Sequence, residues 1–290
     1  MGAAEFGQIA INAILLSGIL ALVALGFSLV WGIMNIVNLA HGAFVVLGAY
    51  TTYFLHELAG IDPFLSIPIS MLVLFILGFG IQRTLINQIV RAPLLATFLL
   101  TFGLEILIVN LVNYFFKADL RSVTTSYTGT GIGLGSFRIP YIRLAALGLA
   151  LLLVLLTAWF LRSTRYGRAI RATGMDVDAA RLTGVKVGTI YALTYAIGAS
   201  LAGAAGALLS MIVPFDPNVG GGYTERAFVI CVLGGLGDLR NVVLGALVYA
   251  FVDVFVGSRL PALSQAFTFG ALVLLLVLRP QGLAGKKSYA

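Results

Sequence analysis

The chain has 290 residues, of which 60% are hydrophobic and 10% charged, with a mean hydropathy of +1.04. An average soluble domain carries roughly 25% charged residues, so this composition excludes an ordinary soluble enzyme, a disordered chain and a nucleic-acid binder. The formal charge of +7 is unevenly placed: the first Lys or Arg is Arg83, and the apolar start lacks the basic flank of a secretory signal.

A membrane-spanning helix needs about 20 mainly apolar residues. Runs of this kind occur at 8–32, 42–58, 64–82, 94–116, 141–161, 190–213, 224–237, 241–257 and 265–279. They are too long and too continuously apolar for alternating barrel strands. Lipid offers backbone N–H and C=O groups no hydrogen bonds, so each run must be a helix. The expected fold is all-α: a polytopic transmembrane bundle of about 8–10 helices. The second, seventh, eighth and ninth runs are short, which predicts broken or re-entrant segments. No stretch suits a soluble domain, so residues 1–290 read as one membrane domain.

The first polar constellation is Asn35, Asn38 and His41 in WGIMNIVNLAHGAF. Spacings of three place them on one face if that segment is helical. Three polar side chains facing lipid would be costly, so they either line a path or gate or hold helices together by hydrogen bonds. Glu105 is central to the 94–116 run, where an ionised acid costs about 2.5–3.5 kcal/mol. Thr101 and Asn113 share roughly its face, whereas Asn110 does not. These residues make Thr101 and Glu105 further candidates for the path or gate.

The connection 117–140 is rich in Ser, Thr and Gly and carries no helical stripe. The 162–189 connection is the largest charged segment, with Arg162, Arg165, Arg168, Arg171, Arg181 and Lys186. Arg83 and Arg91 lie in the 83–93 turn, and Arg279, Lys286 and Lys287 in the tail. Placing these and Arg240 inside puts twelve of the 18 basic residues on the cytoplasmic face, with the N-terminus outside and the C-terminus inside. Asp176 and Asp178 precede AARL, so an Asp is positioned to cap a short helix there, and Gly184 to end it. Residues 214–223, PFDPNVGGGY, form a turn. Glu225 and Arg226 read as a helix start, with the acid at the positive end of the dipole, and Asp253 lies near the outer end of its run. Gly32–Gly42 and Gly234–Asn241 both place a polar, Gly-bearing break before an apolar run, a hint of the internal repeats found in transporters.

No catalytic pattern is present. Gly285-Lys286-Lys287-Ser288 lacks the first Gly of a phosphate loop. Cys231 is alone, and His41 and His56 are too far apart to found a metal site. No cofactor is implied, and any energised process would have to draw its energy from a partner or an ion gradient.

Asp178-Ala179-Ala180-Arg181-Leu182-Thr183-Gly184 resembles the E-A-A-x-x-x-G signature of binding-protein-dependent ABC importer permeases, with Asp for Glu. Tyr166-Gly167-Arg168-Ala169-Ile170-Arg171-Ala172 precedes it. GIMNIVNLAHGAFVVLGAY at 32–50 and AFVICVLGGLGDLRNVVLGALV at 227–248 complete a resemblance, over nearly the whole chain, to the branched-chain amino acid permease family, in its high-affinity leucine/isoleucine/valine branch. The resemblance implies an ABC importer permease in the bacterial inner membrane, moving branched-chain amino acids. Its partners would be a second homologous permease subunit, two cytoplasmic ATPase subunits and a periplasmic amino-acid-binding protein. A coupling segment at about 162–189 would dock on an ATPase through Tyr166, Gly167, Arg168, Arg171, Asp178, Ala179, Ala180, Leu182 and Gly184. Relatives of this family also carry urea and short amides. Beside the resemblance stand a gradient-driven secondary transporter using Glu105 or Asp253, and a passive channel.

Overall fold

The computed structural model describes residues 2–90, 92–235 and 239–278. Arg91, Gly237, Asp238, Arg279, Lys286 and Lys287, which enter the charge and repeat patterns above, lie outside the described residues. Among the described residues the nine apolar runs fall on nine helices, with two short helices between the fifth and sixth of them and a three-residue one, Asn87–Ile89, after the third. The nine are α1 (Ala3–Met34), α2 (His41–Ala59), α3 (Pro63–Ile81), α4 (Leu94–Phe116), α5 (Tyr141–Ser163), α8 (Val187–Ser210), α9 (Gly220–Gly234), α10 (Leu239–Gly257) and α11 (Ser264–Leu278). The two short ones are α6 (Arg165–Met175) and α7 (Val177–Leu182). Five helical stretches are long and apolar enough to span: Ala4–Met34, Pro63–Ile89, Leu94–Phe116, Tyr141–Ser163 and Val187–Ser210. The chain is thus an all-α, multi-pass membrane protein.

Helix ends follow local chemistry. Asp62 caps α3 by accepting from Phe64 N at 2.9 Å, with Pro63 in the first turn. Past Ile81, α3 continues into a π-turn, Gln82–Ile86. α2 closes on Gly60 at φ +63°, a left-handed position that a residue without Cβ adopts freely.

α1 and α8 form the centre, each buried along about nine-tenths of its most apolar window. α3, α4 and α5 lie outside them and bury one stripe each. On α5 that stripe is Ile142, Ala146, Ala150, Val154, Thr157 and Leu161, the 3.6-residue period of a helix touching protein on one side. Leu151, Leu155 and Trp159 on its other face are exposed, as lipid-facing residues should be. Lipid is as apolar as Leu, so helix association relies on close packing. α1 and α8 cross at Gly26 and Gly198, where a Cβ on Gly26 would stand 2.6 Å from Gly198 O.

The 117–140 connection contains something its composition did not predict: a hairpin of β1 (Gly131–Leu134) and β2 (Phe137–Pro140), with Leu134 opposite Phe137. Gly135 takes φ +60° in the two-residue turn, matching the turn type with Gly first. Gln8 of α1 donates to Arg138 O at 3.0 Å and accepts from Arg138 N at 2.9 Å. Tyr127 donates to Asp62 at 3.0 Å; burial and that bond hold its phenol above the usual range. Glu5 pairs with Arg259 at 3.1 Å. The start of α1, the hairpin and the end of α10 therefore share one end of the bundle. The opposite end gathers the 162–189 segment, the π-turn and the end of α1. Asn87 donates there to Gly188 O at 3.3 Å, and Gly174 abuts Ile33.

This arrangement puts the N-terminus with 117–140 and away from 162–189, in accord with the charge pattern. Single cysteines at the exposed Ser126 and Ser163, with Cys231 replaced, report the sides directly. An impermeant thiol reagent on intact cells is expected to label Ser126→Cys and spare Ser163→Cys; the reverse pattern inverts the topology.

Candidate functional site

Asn35, Asn38 and His41 do not share a helical face, because residues 35–40 are not helical. Asn35 terminates α1 in the left-handed region at φ 53°, its N–H reaching Trp31 O at 2.9 Å. Asn tolerates that conformation better than most residues. His41 then opens α2. Asn35 is exposed, while Asn38 and His41 are buried at 2% and 0% exposure.

A break in a buried chain frees backbone carbonyls that must find donors. Here side-chain hydroxyls supply them. Thr101 of α4 donates to Val37 O at 3.1 Å. Thr224 of α9 donates to Leu39 O at 3.0 Å and accepts from Gly42 N at 2.8 Å. Tyr195 of α8 donates to Asn38 Oδ1 at 3.1 Å. His41 Nε2 donates to Val23 O at 2.9 Å, which leaves its buried Nδ1 without a partner among the described residues. The break is thus held by α1, α4, α8 and α9 at once. Gly42 and Gly220 bring α2 and α9 into backbone contact: a Cβ on Gly42 would collide with Gly220 O and stand 2.7 Å from Thr224 Oγ1.

Glu105 lies next to this junction, partly exposed on α4 one turn beyond Thr101. A Cβ on Gly221 would stand 3.4 Å from its Oε1. Among the described residues Glu105 makes no ion pair. Asn113, two turns further, donates to Asn218 at 3.2 Å, whereas Asn110 is turned out and bonds its own helix. The spacing therefore placed Thr101, Glu105 and Asn113 correctly on one face. It missed Tyr195 and Thr224. A Thr after three glycines in PNVGGGYT was a signal for the second, but Tyr195 had none.

The reading of one acid changes, and another gains a partner. Glu225 is the sixth residue of α9 and not part of its first turn; it accepts from Gln265 at 3.1 Å. The 3₁₀ turn and glycines that precede it start the helix earlier than its charge suggested. Asp253 accepts from Ser264 at 2.6 Å, tying α10 to α11. The first Gly-bearing segment falls at a helix break; of the second, Gly235 closes α9 at φ +91° and residues 236–238 lie outside the described residues.

The 162–189 segment is a pair of short helices. Thr164 caps α6, accepting from Gly167 N at 2.9 Å. Gly167 lies so close to Phe160 and Leu161 of α5 that a side chain would not fit. Ile170 and Thr173 turn inward, while Tyr166, Arg168 and Arg171 face out; Arg168 donates to Ser163 O at 3.0 Å. Asp176 caps α7 by accepting from Asp178 N and Ala179 N, both at 2.9 Å. α7 ends in a Schellman motif: Val185 N reaches Ala180 O at 3.1 Å, Gly184 N reaches Arg181 O at 2.9 Å, and Gly184 sits at φ +84°. Asp178 and Ala179 are exposed, and Asp178 pairs with Arg181 at 2.9 Å. Ala180 is 4% exposed and faces the protein's own interior, whereas Leu182 and Met175 stand out at 90% and 89%. Among the described residues these are the two most exposed large apolar side chains.

Comparison with known proteins supplies the remaining context. The family described as branched-chain amino acid transport system / permease component matches residues 9–277. The high-affinity branched-chain amino acid transport system permease protein BraD of Pseudomonas aeruginosa is 27% identical over 95% of this chain and 94% of its own. The corresponding protein LivH of Escherichia coli K12 is 26% identical over 97% and 96%. The probable branched-chain amino acid transport permease protein LivH of Methanocaldococcus jannaschii is 24% identical over 90% and 84%. No solved structure matches.

Proposed function

The chain belongs to the branched-chain amino acid transport permease family, and from that membership we propose that it is the transmembrane subunit of an ABC importer for branched-chain amino acids in the bacterial inner membrane. The family match over residues 9–277 carries the reading. ATP is hydrolysed on two partner ATPase subunits. A second homologous permease completes the pathway, and a periplasmic binding protein delivers substrate to the end bearing the 117–140 connection. The capped pair α6–α7 transmits the ATPase's motion, with Leu182 and Met175 as its apolar contacts. The path or its gate runs past the 35–41 break and Glu105. Two features support that placement: the chain between α1 and α2 is non-helical and largely buried, so its buried polar groups face protein and not lipid, and Glu105 lies beside it without an ion-pair partner among the described residues.

Uptake of labelled leucine, isoleucine and valine, in cells or vesicles containing the candidate partner subunits, tests the reading. Uptake is expected to require this chain and a functional ATPase, and to rise with loaded binding protein. Uptake that survives loss of the ATPase and follows the proton gradient instead would establish a secondary transporter. Glu105→Gln keeps the shape and removes the charge; it is expected to lower uptake about tenfold, an effect of about 1.4 kcal/mol on the transport barrier. Wild-type uptake at equal membrane abundance would remove Glu105 from the path.

A further inference from the structure

From Ile190 to Ser210, α8 is buried all round except at Leu193 and Ile197. There it reaches the bundle surface through a slit between α3 and α5. The slit is an apolar groove of about 400 Å³, walled by Phe75, Leu153, Phe160, Leu193 and Ile197, with Tyr166 at its end. Four residues before Leu193 on the same stripe of α8 is Thr189. On α3 the same spacing carries Phe75 to Phe79, whose rings stack, and on to Arg83. Thr189 and Arg83 belong to a second depression of about 340 Å³, a polar one that also includes Asn87, Lys186 and Gly188. Among the described residues neither Arg83 nor Lys186 has an ion-pair partner.

Along the α8 stripe the depression lies one turn before the groove, at Thr189 against Leu193, which sets the two in line as a track. From Thr189 to Leu201 the track covers about 18 Å of helix, close to the roughly 15 Å of one hydrocarbon leaflet. We propose that this track is a binding site for one anionic phospholipid, with an acyl chain in the groove and the phosphate between Arg83 and Lys186. The groove alone would accept any lipid tail; the two unpaired cations at its end select a negative headgroup, as basic pockets between spanning helices do. The lipid closes the slit beside Tyr166 and so braces the joint between α5 and α6. The site requires nothing of the transported substrate.

The test uses the purified full chain in nanodiscs in which phosphatidylglycerol competes with phosphatidylcholine, with retained lipid identified by native mass spectrometry. Wild-type protein is expected to keep phosphatidylglycerol selectively. Arg83→Gln combined with Lys186→Gln should weaken that preference about 30-fold, about fivefold per cation. Ile197→Trp, which fills the groove, should lower retention of both lipids, and Arg143→Gln, at the other end of the bundle, should change nothing. Equal retention of the two lipids by wild-type protein overturns the proposal, and that measurement needs no variant to fold. So does a preference that survives the double substitution. Displacement of phosphatidylglycerol by inorganic phosphate with no effect of Ile197→Trp also overturns it, because the site would then be an anion dish without a lipid tail. Crosslinking from Ile197→Cys to a partner subunit instead of lipid, with Cys231 replaced, overturns it by naming another occupant.

Discussion

Leu182→Asp is expected to abolish uptake and release the ATPase while leaving the chain in the membrane at its normal level. Leu182 is 90% exposed on α7, and Met175 at the end of α6 is 89% exposed. Burying a Leu at a partner surface contributes about 1.5–3 kcal/mol, and at about 1.4 kcal/mol per tenfold its loss alone weakens assembly roughly 10- to 150-fold. A carboxylate in an apolar groove adds a desolvation penalty on top. Met175→Asp should act in the same direction. Gly184→Pro should also uncouple, for a separate reason. It deletes the N–H that reaches Arg181 O and cannot take φ +84°, so Leu182 loses the motif that orients it. Asp178→Asn is the contrasting change. Its pair with Arg181 is exposed, and surface pairs contribute about 0–1 kcal/mol, so uptake should fall by no more than about fivefold. Ala180→Arg is uninformative about docking, because Ala180 is buried within the chain itself. Co-purification of the ATPase and uptake of labelled leucine are the readouts. Normal values for Leu182→Asp would mean that α7 does not dock through this face.

Gly42→Val is expected to destabilise the bundle and abolish transport together. A Cβ at this position would meet Gly220 O, with Gly220 C at 2.5 Å and Thr224 Oγ1 at 2.7 Å. The obstacles include backbone of α9, which cannot rotate away as a side chain end can. Overpacking typically costs 1–3 kcal/mol, and separating α2 from α9 also breaks the Gly42 N–Thr224 bond, worth about 0.5–1.5 kcal/mol. A total of about 1.5–4.5 kcal/mol follows. Thr224→Val probes the same junction without a clash. It leaves Leu39 O and Gly42 N unsatisfied, at about 1–3 kcal/mol for each buried orphan. Gly103→Ala is the control, since nothing lies within 4 Å of a Cβ there. Unfolding free energies of the purified variants in detergent, beside uptake, check all three. Wild-type stability for Gly42→Val would show that α2 and α9 do not meet as described.

The same comparison of residues separates what the chain announces from what folding decides. Apolar runs announced nine helices among the described residues, five of their stretches long and apolar enough to span, because in lipid a backbone has no partner but its own helix. Local chemistry announced α7 as well: an Asp before AARL and Gly184 after it act within nine residues of chain, so their spacing suffices to place helix and stop, and the structure then chose Asp176 over Asp178 as the cap. Periodicity set Thr101, Glu105 and Asn113 on one face of α4 for the same local reason. It failed at 35–41, where the polar spacing of three suggested a helical stripe. The segment is a break instead, stabilised by donors from Thr101, Tyr195 and Thr224, which lie about 60 to 190 residues away in sequence. No local pattern records a hydrogen bond made across that separation. Nor does one record which way Ala180 faces: a six-residue helix shows both sides equally in sequence, and only its seat against the bundle turned Ala180 inward and left Leu182 in water. The lipid track is of the same kind, since Phe75 and Leu193 become neighbours only when α3 lies along α8 and α5 stands slightly apart from both.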